Sequence, residues 1–130
     1  MKALLCAAVL SACGVARARQ ARPVQTTLAV GKAFKVPDTS ITVTFEDVVE
    51  DSRCPTGTNC IWAGDAVIRI GIRSAANSGS SYTLHTNPQF MREVEYEGIR
   101  VLLTNLMPHP AEGALPQHDQ YVASLSIDRK

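Results

Sequence analysis

Short segments in which apolar and polar residues alternate recur along this chain, and they constrain the fold more than any other feature. The clearest segment runs from Ala66 to Arg73, where apolar side chains take every second position and Arg69 lies between two isoleucines. A period of two residues places successive side chains on opposite faces of an extended chain. The segment is therefore expected to be a half-buried β-strand. No segment has a helical period long enough to indicate a helix.

Seven further segments carry the same signal more weakly, and turn residues such as Gly31 and Asn87-Pro88 separate them. In the segment 99–106, strict alternation places Leu102 and Leu106 on the face opposite to Ile99. The predicted strands are 27–30, 34–36, 41–45, 66–73, 82–85, 91–96, 99–106 and 121–127. Seven to eight short strands predict an all-β fold, an antiparallel β-sandwich of immunoglobulin-like architecture. The long-spaced cysteine pair of an antibody domain is absent from the sequence.

The first residues are typical of an export signal. Lys2 precedes an apolar stretch far shorter than the roughly 20 residues that span a bilayer as a helix. Two processing sites compete, because Leu10-Ser11-Ala12-Cys13 resembles a lipoprotein cleavage motif and Ala16-Arg17-Ala18 resembles an ordinary signal-peptidase site. We favour the lipoprotein motif, and the alternative is cleavage after residue 18. The predicted organisation is a signal peptide at 1–12, a lipidated Cys13, a flexible tether at 13–25 and a folded domain at 26–130.

Length and charge narrow the class of protein. The 130 residues suffice for one domain, and a hydrophobic fraction of 45% is typical of a globular protein. The net charge of +1 comes from 13 basic and 12 acidic residues, and loss of Lys2 with the signal peptide leaves 12 of each. Such a balance argues against nucleic-acid binding. We expect a protein anchored by lipid on the periplasmic or outer cell surface, or otherwise secreted.

Two cysteines, Cys54 and Cys60, lie in the predicted domain. An exported protein meets an oxidising compartment, so these two are expected to form a disulfide bond. Their spacing differs from the C-x-x-C pattern of thiol exchange. We favour a staple that pins a long connection to the sandwich, and the functional alternative is a preorganised binding loop. In that alternative the candidate binding residues are Arg53 as an anchor, Pro55, Thr56, Thr58 and Asn59.

Trp62, the single tryptophan, is expected to pack its ring over the disulfide and to anchor the loop. Gly64 is expected to permit a turn or bulge before the next strand. The stretch from Asp51 to Gly64 resembles the D-S-R-C-P-x4-C-x-W-A-G pattern of a group of small, uncharacterised secreted or lipoprotein-type bacterial proteins. The resemblance covers about 15 of the 130 residues closely. It implies the fold and compartment given above, and no activity.

An acidic cluster lies around the predicted loop. A solvated, locally hydrogen-bonded face is the favoured interpretation, and calcium binding is the alternative. The sequence lacks the D-x-D-x-D-G pattern of a calcium loop. The cluster consists of Glu46, Asp47, Glu50, Asp51 and Asp65.

The histidines His85, His109 and His118 lack the tight spacing of zinc or copper ligands. We expect them to be exposed loop residues. The motifs G-x-S-x-G, H-E-x-x-H and the P-loop are also absent from the sequence. No metal ligand, cofactor or catalytic residue is therefore predicted.

Three functions are compatible with this sequence. The favoured one is a non-catalytic binding or accessory module of the cell envelope, which displays the Cys54–Cys60 loop to a protein or glycan partner. The alternative is an inhibitor of a secreted enzyme that acts through the same loop. A small hydrolase is less favoured, since it requires a concave pocket that holds at least two titratable groups with perturbed pKa values.

Overall fold

The computed structural model describes residue 14 and residues 21–130. The predicted signal peptide, both predicted cleavage sites and Cys13 lie outside the described residues. Within residues 21–130 the chain forms eight strands and one short 3-10 helix, at His118–Gln120. The strands are β1 Val24–Ala29, β2 Ala33–Lys35, β3 Thr42–Asp51, β4 Ala66–Arg73, β5 Ser80–His85, β6 Glu93–Tyr96, β7 Ile99–Met107 and β8 Val122–Arg129.

The strands of residues 21–130 form two antiparallel sheets of four strands each, which confirms the predicted all-β sandwich. The strand order is β1-β8-β7-β6 in one sheet and β2-β3-β4-β5 in the other. Consecutive strands pair within each sheet, the chain crosses between the sheets after β1 and after β5, and β1 pairs with β8. An immunoglobulin domain distributes its strands differently, as A-B-E-D and C-F-G. The immunoglobulin likeness is thus one of architecture alone.

The alternating pattern of β4 accounts for one wall of the core. Ile68, Ile70 and Ile72 are buried, whereas Arg69 and Arg73 are exposed on the opposite face. Complete burial of each such isoleucine stabilises the fold by roughly 1.5–3 kcal/mol. The facing sheet supplies the second wall with Val101, Leu103, Leu106, Ala123, Leu125 and Ile127.

β-Bulges interrupt the alternation in both sheets. The register between β7 and β8 shifts between Leu103 and Asn105, and Leu106 is buried as a result. The prediction that Leu106 faces away from the core is therefore wrong, because a bulge adds one residue and reverses the side chains that follow. Two register shifts in β3 likewise accompany its extension to Asp51, beyond the predicted end at 45.

The chain enters the sandwich at the end where β8 finishes. Val24 pairs with Ile127, so β1 begins within the stretch that the sequence assigned to the tether. The loops β3–β4, β5–β6 and β7–β8 lie at the other end, since Ala29 at the close of β1 pairs with Val122 at the start of β8. Among the residues described, no helix has the length and apolar character needed to cross a membrane.

The β3–β4 loop, residues 52–65, leaves and re-enters its sheet through a narrow neck. The amide and hydroxyl of Ser52 donate to the Asp65 carbonyl at 2.7 and 2.9 Å, and the Cys54 amide donates to the Ala63 carbonyl at 2.9 Å. Gly64 has φ +72°, and a Cβ at this position would lie 2.0 Å from the Ser52 carbonyl oxygen. Glycine is required here both for its backbone conformation and for the close approach of the two strands of the neck.

Gly64→Ala is expected to destabilise the domain more than Gly113→Ala. Gly113 has φ +74°, and no atom of the described structure lies within 4 Å of the place that an added methyl group would take. Both changes therefore add left-handed backbone strain of roughly 1–2 kcal/mol. Only Gly64→Ala adds a clash with backbone, which costs roughly 1–3 kcal/mol more. Urea unfolding of both variants measures the difference, and equal losses of the free energy of unfolding would contradict the proposed neck.

Candidate functional site

Three loops meet at one end of the sandwich, and hydrogen bonds join them. The Thr56 amide donates to the Pro110 carbonyl at 3.0 Å. Nε2 of His109 donates to the Cys54 carbonyl at 2.7 Å, which requires the proton on Nε2 because a carbonyl only accepts. These bonds fix the loops relative to one another. We call this region the loop end, and it comprises residues 52–65, 86–92 and 108–121.

Cys54 and Cys60 form a disulfide bond with their Cα atoms 5.9 Å apart, which confirms the predicted pairing. Closing so short a segment stabilises the fold by about 2 kcal/mol in the chain-entropy account. Inside the ring, the Thr58 hydroxyl donates to the Pro55 carbonyl at 2.7 Å. The disulfide therefore acts mainly on the shape of the loop tip.

The candidate binding residues of the tip differ in accessibility. Thr56 and Asn59 are exposed, whereas Pro55 and Thr58 are half-buried. The Thr56 hydroxyl also donates to the Pro110 carbonyl at 3.3 Å. The tip thus offers Thr56 and Asn59 to solvent, and their predicted contact with a partner stays a prediction.

Arg53 is buried, so its predicted role as an accessible anchor is wrong. Its side chain is only 6% exposed. Nε and Nη2 donate to the two carboxylate oxygens of Asp51 at 2.8 and 2.7 Å. Nη1 donates to the Leu106 carbonyl at 2.6 Å and Nη2 to the Pro108 carbonyl at 2.9 Å. Arg53 therefore joins the end of β3 in one sheet to the end of β7 in the other.

Tyr121 completes the environment of this ion pair. Its hydroxyl donates to Asp51 at 2.8 Å. Burial opposes ionisation of Asp51, but the hydrogen bonds from Arg53 and Tyr121 outweigh it and hold the pKa of Asp51 below its ordinary 3.8. Burial together with the hydrogen bond to Asp51 raises the pKa of Tyr121 to about 12. Asp51 is therefore ionised, and Tyr121 protonated, at neutral pH.

A second carboxylate, Asp65, organises the β5–β6 loop. It accepts hydrogen bonds from the amides of Thr86 and Asn87 at 3.1 and 3.0 Å, and from Nδ1 of His85 at 2.6 Å. Burial opposes the ionisation of Asp65, yet these bonds, His85 first, lower its pKa below the ordinary value. The Asn87 side chain donates in turn to the Gly64 carbonyl at 2.9 Å. The loop is thereby tied to the neck of the β3–β4 loop.

The other residues of the predicted acidic cluster and the histidines do not converge on one site. Glu46 and Asp47 both pair with Arg69 on the outer face of the sheet, and Asp47 also pairs with His118. His85 ends β5 and its side chain is 26% exposed, so the expectation of an exposed loop residue is wrong for it. Within residues 21–130, no group of three His, Cys, Asp or Glu side chains is placed to hold a metal ion.

A cavity of about 240 Å³ opens where the three loops meet. Three basic side chains line it, Arg53, Arg92 and His109, and no Asp or Glu belongs to its described lining. Apolar groups of Pro88, Leu103 and Leu106 form part of its walls. No sequence signal indicated this cavity, since its lining comes from separate segments that only the fold brings together.

Large apolar side chains are exposed around the loop end. Trp62 is 52% exposed, so the prediction that its ring is buried over the disulfide is wrong. Ile61, beside it, is fully exposed. In the part of the chain that the structure describes, the exposed large apolar side chains other than Val49 all lie on these loops or at the end of β7. They are Ile61, Trp62, Phe90, Met91, Met107 and Leu115.

Comparisons with known proteins give no information on the site, so its interpretation depends on its geometry. No family model matches the chain, and no curated protein or solved structure matches it either. The resemblance of residues 51–64 to small secreted bacterial proteins stays a prediction. The candidate functional site is therefore the loop end, with its exposed apolar side chains and its basic cavity.

Arg53→Met is expected to lower the free energy of unfolding by roughly 3–5 kcal/mol, because it leaves Asp51 ionised and buried without its partner. Arg100→Met is the matched control, since Arg100 forms a comparable pair with Asp128 at the surface, at 2.5 Å. That change is expected to cost far less, because exposed ion pairs contribute little. Urea unfolding at neutral pH measures both, and similar losses would contradict the structural role of Arg53.

Acid is expected to destabilise the domain through Asp51 and Asp65. Because their folded pKa values lie below the ordinary 3.8, they stabilise the fold fully above about pH 4 and lose that contribution as the pH falls through the folded values. Asp65→Asn removes one of the two titrations and should make the decline of stability with pH shallower. Urea unfolding from pH 7 to pH 3 tests this, and a slope identical to that of the wild type would refute it.

Proposed function

We propose that this chain is an exported, non-catalytic binding module of the cell envelope that contacts a partner protein through its loop end. The observation that carries the proposal is the gathering of exposed apolar side chains on these loops, with Trp62 beside a disulfide. Exposed large apolar side chains concentrated at one end of a domain are typical of interaction sites. Tryptophan and methionine are among the residues enriched in protein–protein interfaces.

The rigidity of the loop end supports the same function. A loop that is already ordered loses little conformational entropy when it binds. Here the Cys54–Cys60 disulfide closes the tip, and the bonds from Thr56 to Pro110 and from His109 to Cys54 hold the tip against the neighbouring loop. Ile61 and Trp62 therefore extend from a surface that needs little rearrangement to accept a partner.

The position of the chain entry also supports a displayed module. Val24 begins β1 at the end of the sandwich opposite to the loop end. A lipid on Cys13 would hold that opposite end near the membrane, and the loop end would then point away from the lipid surface. A partner protein in the envelope could reach the exposed loops without displacing the anchor.

The lining of the cavity favours binding over catalysis. Its described residues include no Asp, Glu, Ser or Cys, and His109 uses Nε2 for the Cys54 carbonyl. Inhibition of a secreted enzyme remains the alternative use of this surface, since Thr56 and Asn59 are exposed on a closed loop. In that alternative, Arg53 is not the side chain that enters the enzyme, because it is buried.

The double variant Ile61→Ser/Trp62→Ser is expected to lose its partner. Truncation of a tryptophan at the centre of an interface costs roughly 2 kcal/mol or more, which is about thirtyfold in Kd. The full chain would be immobilised, incubated with detergent-solubilised native envelope, and the captured proteins quantified by mass spectrometry. A protein enriched by the wild type and lost from the double variant is the expected result.

Val49→Ser serves as the matched control, because Val49 is 53% exposed but lies on β3 rather than on a loop. It should capture the same protein as the wild type, and circular dichroism should show the same fold for all three chains. Capture that is equal for the wild type and the double variant would overturn the proposal. Inhibition of a secreted hydrolase, lost on changing Thr56 and Asn59 but not Ile61 and Trp62, would favour the alternative.

A further inference from the structure

The cavity of the loop end contains an arginine, Arg92, that has no acidic partner among the described residues. Arg92 precedes β6, and its Nη2 donates to the Leu103 carbonyl at 3.1 Å. Its Nε is buried and has no hydrogen-bond partner in the described structure. The ion pairs found within residues 21–130 do not include Arg92. A buried donor without an acceptor is uncommon in proteins and calls for an explanation.

Arg53 lines the same cavity, and its contacts show which group the Nε–Nη2 edge of a guanidinium binds. Its Nε and Nη2 meet the two oxygens of Asp51 at 2.8 and 2.7 Å, a bidentate arrangement. Guanidinium groups favour carboxylates because the two planar groups match in spacing and in charge. Arg92 carries the same guanidinium group, but no Asp or Glu belongs to the described lining. Because this Nε is buried in the unbound structure, a carboxylate reaches it only when the Arg92 side chain rotates.

We propose that this cavity binds a carboxylate group through Arg92. The apolar groups of Pro88, Leu103 and Leu106 suit the aliphatic stem that carries a carboxylate, and Asn105 adds an amide to the lining. With about 240 Å³, the cavity is smaller than the roughly 300–1,000 Å³ of pockets for drug-sized molecules. It therefore accommodates a small acid or the end of a chain rather than a large ligand.

The carboxylate has two sources, a free small organic acid or the C-terminus of a partner's polypeptide. The second source rests on the proposed function, because it takes the loop end as the face to which a protein binds. In that case the exposed apolar side chains of the loop end, Ile61 and Trp62 among them, contact the body of the partner while its terminal carboxylate enters the cavity. Both sources require the same interaction with Arg92.

NMR titration of the ¹⁵N-labelled full chain tests the site with two probes. The first is succinate, compared with uncharged succinamide, and the second is a short apolar peptide with a free C-terminus, compared with its amidated form. We expect saturable shifts of the Arg92 Nε–H and of the Thr86, Asn87 and Asn105 amides with at least one carboxylate probe. Saturation by succinate assigns a free acid, and saturation by the peptide alone assigns a polypeptide C-terminus.

Arg92→Gln should weaken the binding of the carboxylate probe by about tenfold or more, because it removes a charge-assisted hydrogen bond. Arg73→Gln is the matched control, since Arg73 is exposed at the end of β4 and outside the cavity, and it should bind like the wild type. Arg92→Lys keeps the charge but loses the planar edge, so it should also bind more weakly. It replaces Arg92→Gln if circular dichroism shows that the glutamine variant is unfolded.

Three results would overturn this proposal. They are the absence of saturation with both carboxylate probes, equal affinity for the neutral probes, and unchanged affinity in the folded Arg92 variant. None of them involves the envelope partner, because the titration uses purified chain and synthetic probes. Conversely, loss of the capture result together with saturation by succinate would reject the protein-binding function and leave a site for a free acid.

Discussion

Asp51 and Arg53 carry opposite charges out of water at the junction of the two sheets, and the arrangement of the loop end depends on them. Removing each ion from water costs several kcal/mol, which only a close pair with further hydrogen bonds can offset. The Tyr121 hydroxyl and the Leu106 and Pro108 carbonyls supply those bonds. The ends of β3 and β7 and the start of β8 must therefore come together in one geometry, and the loops that leave them begin from fixed positions.

The disulfide does not fix these positions, and it acts only on the loop that starts from them. The neck of the β3–β4 loop is closed by backbone hydrogen bonds and by the close approach at Gly64, both outside the ring formed by Cys54 and Cys60. Asp65 fixes the neighbouring loop through Thr86 and Asn87. The base of the loop end is thus held by polar contacts, and the disulfide restricts only the tip that carries the exposed groups.

The sequence predicts the fold well because each sheet buries one face and exposes the other, so apolar and polar residues alternate along its strands. The segment from Ala66 to Arg73 shows that alternation in full. A β-bulge produces no recognisable pattern in the sequence, so alternation does not predict the burial of Leu106. For the site, the disulfide could be predicted from two cysteines and an expected compartment. The cavity could not, since Arg92, Asn87 and His109 come together only after both sheets have formed.

Two of the wrong predictions at the site, for Arg53 and Trp62, have a common physical origin. Both follow from residue type, which places a charged side chain at the surface and an aromatic ring in the interior. Arg53 is buried because Asp51, two positions earlier at the end of β3, supplies a matching charge. That pairing is a signal in the sequence that could have indicated the burial. Trp62 is exposed because it follows the closed ring on a loop that projects beyond the sheet, and the chain around it offers no second layer in the described structure.

The contrast between the two arginines of the cavity separates a structural role from the proposed binding role. Arg53 is compensated by Asp51, so its charge adds little to the potential in the cavity. Arg92 has no such counter-charge in the described residues, and a low-dielectric wall beside it concentrates its field on the space that a ligand would enter. An uncompensated cation is unfavourable for the empty fold and favourable for an incoming anion. In the two proposals made above, the same end of the sandwich would combine exposed apolar side chains, which provide contact area, with one cation that selects an anionic group.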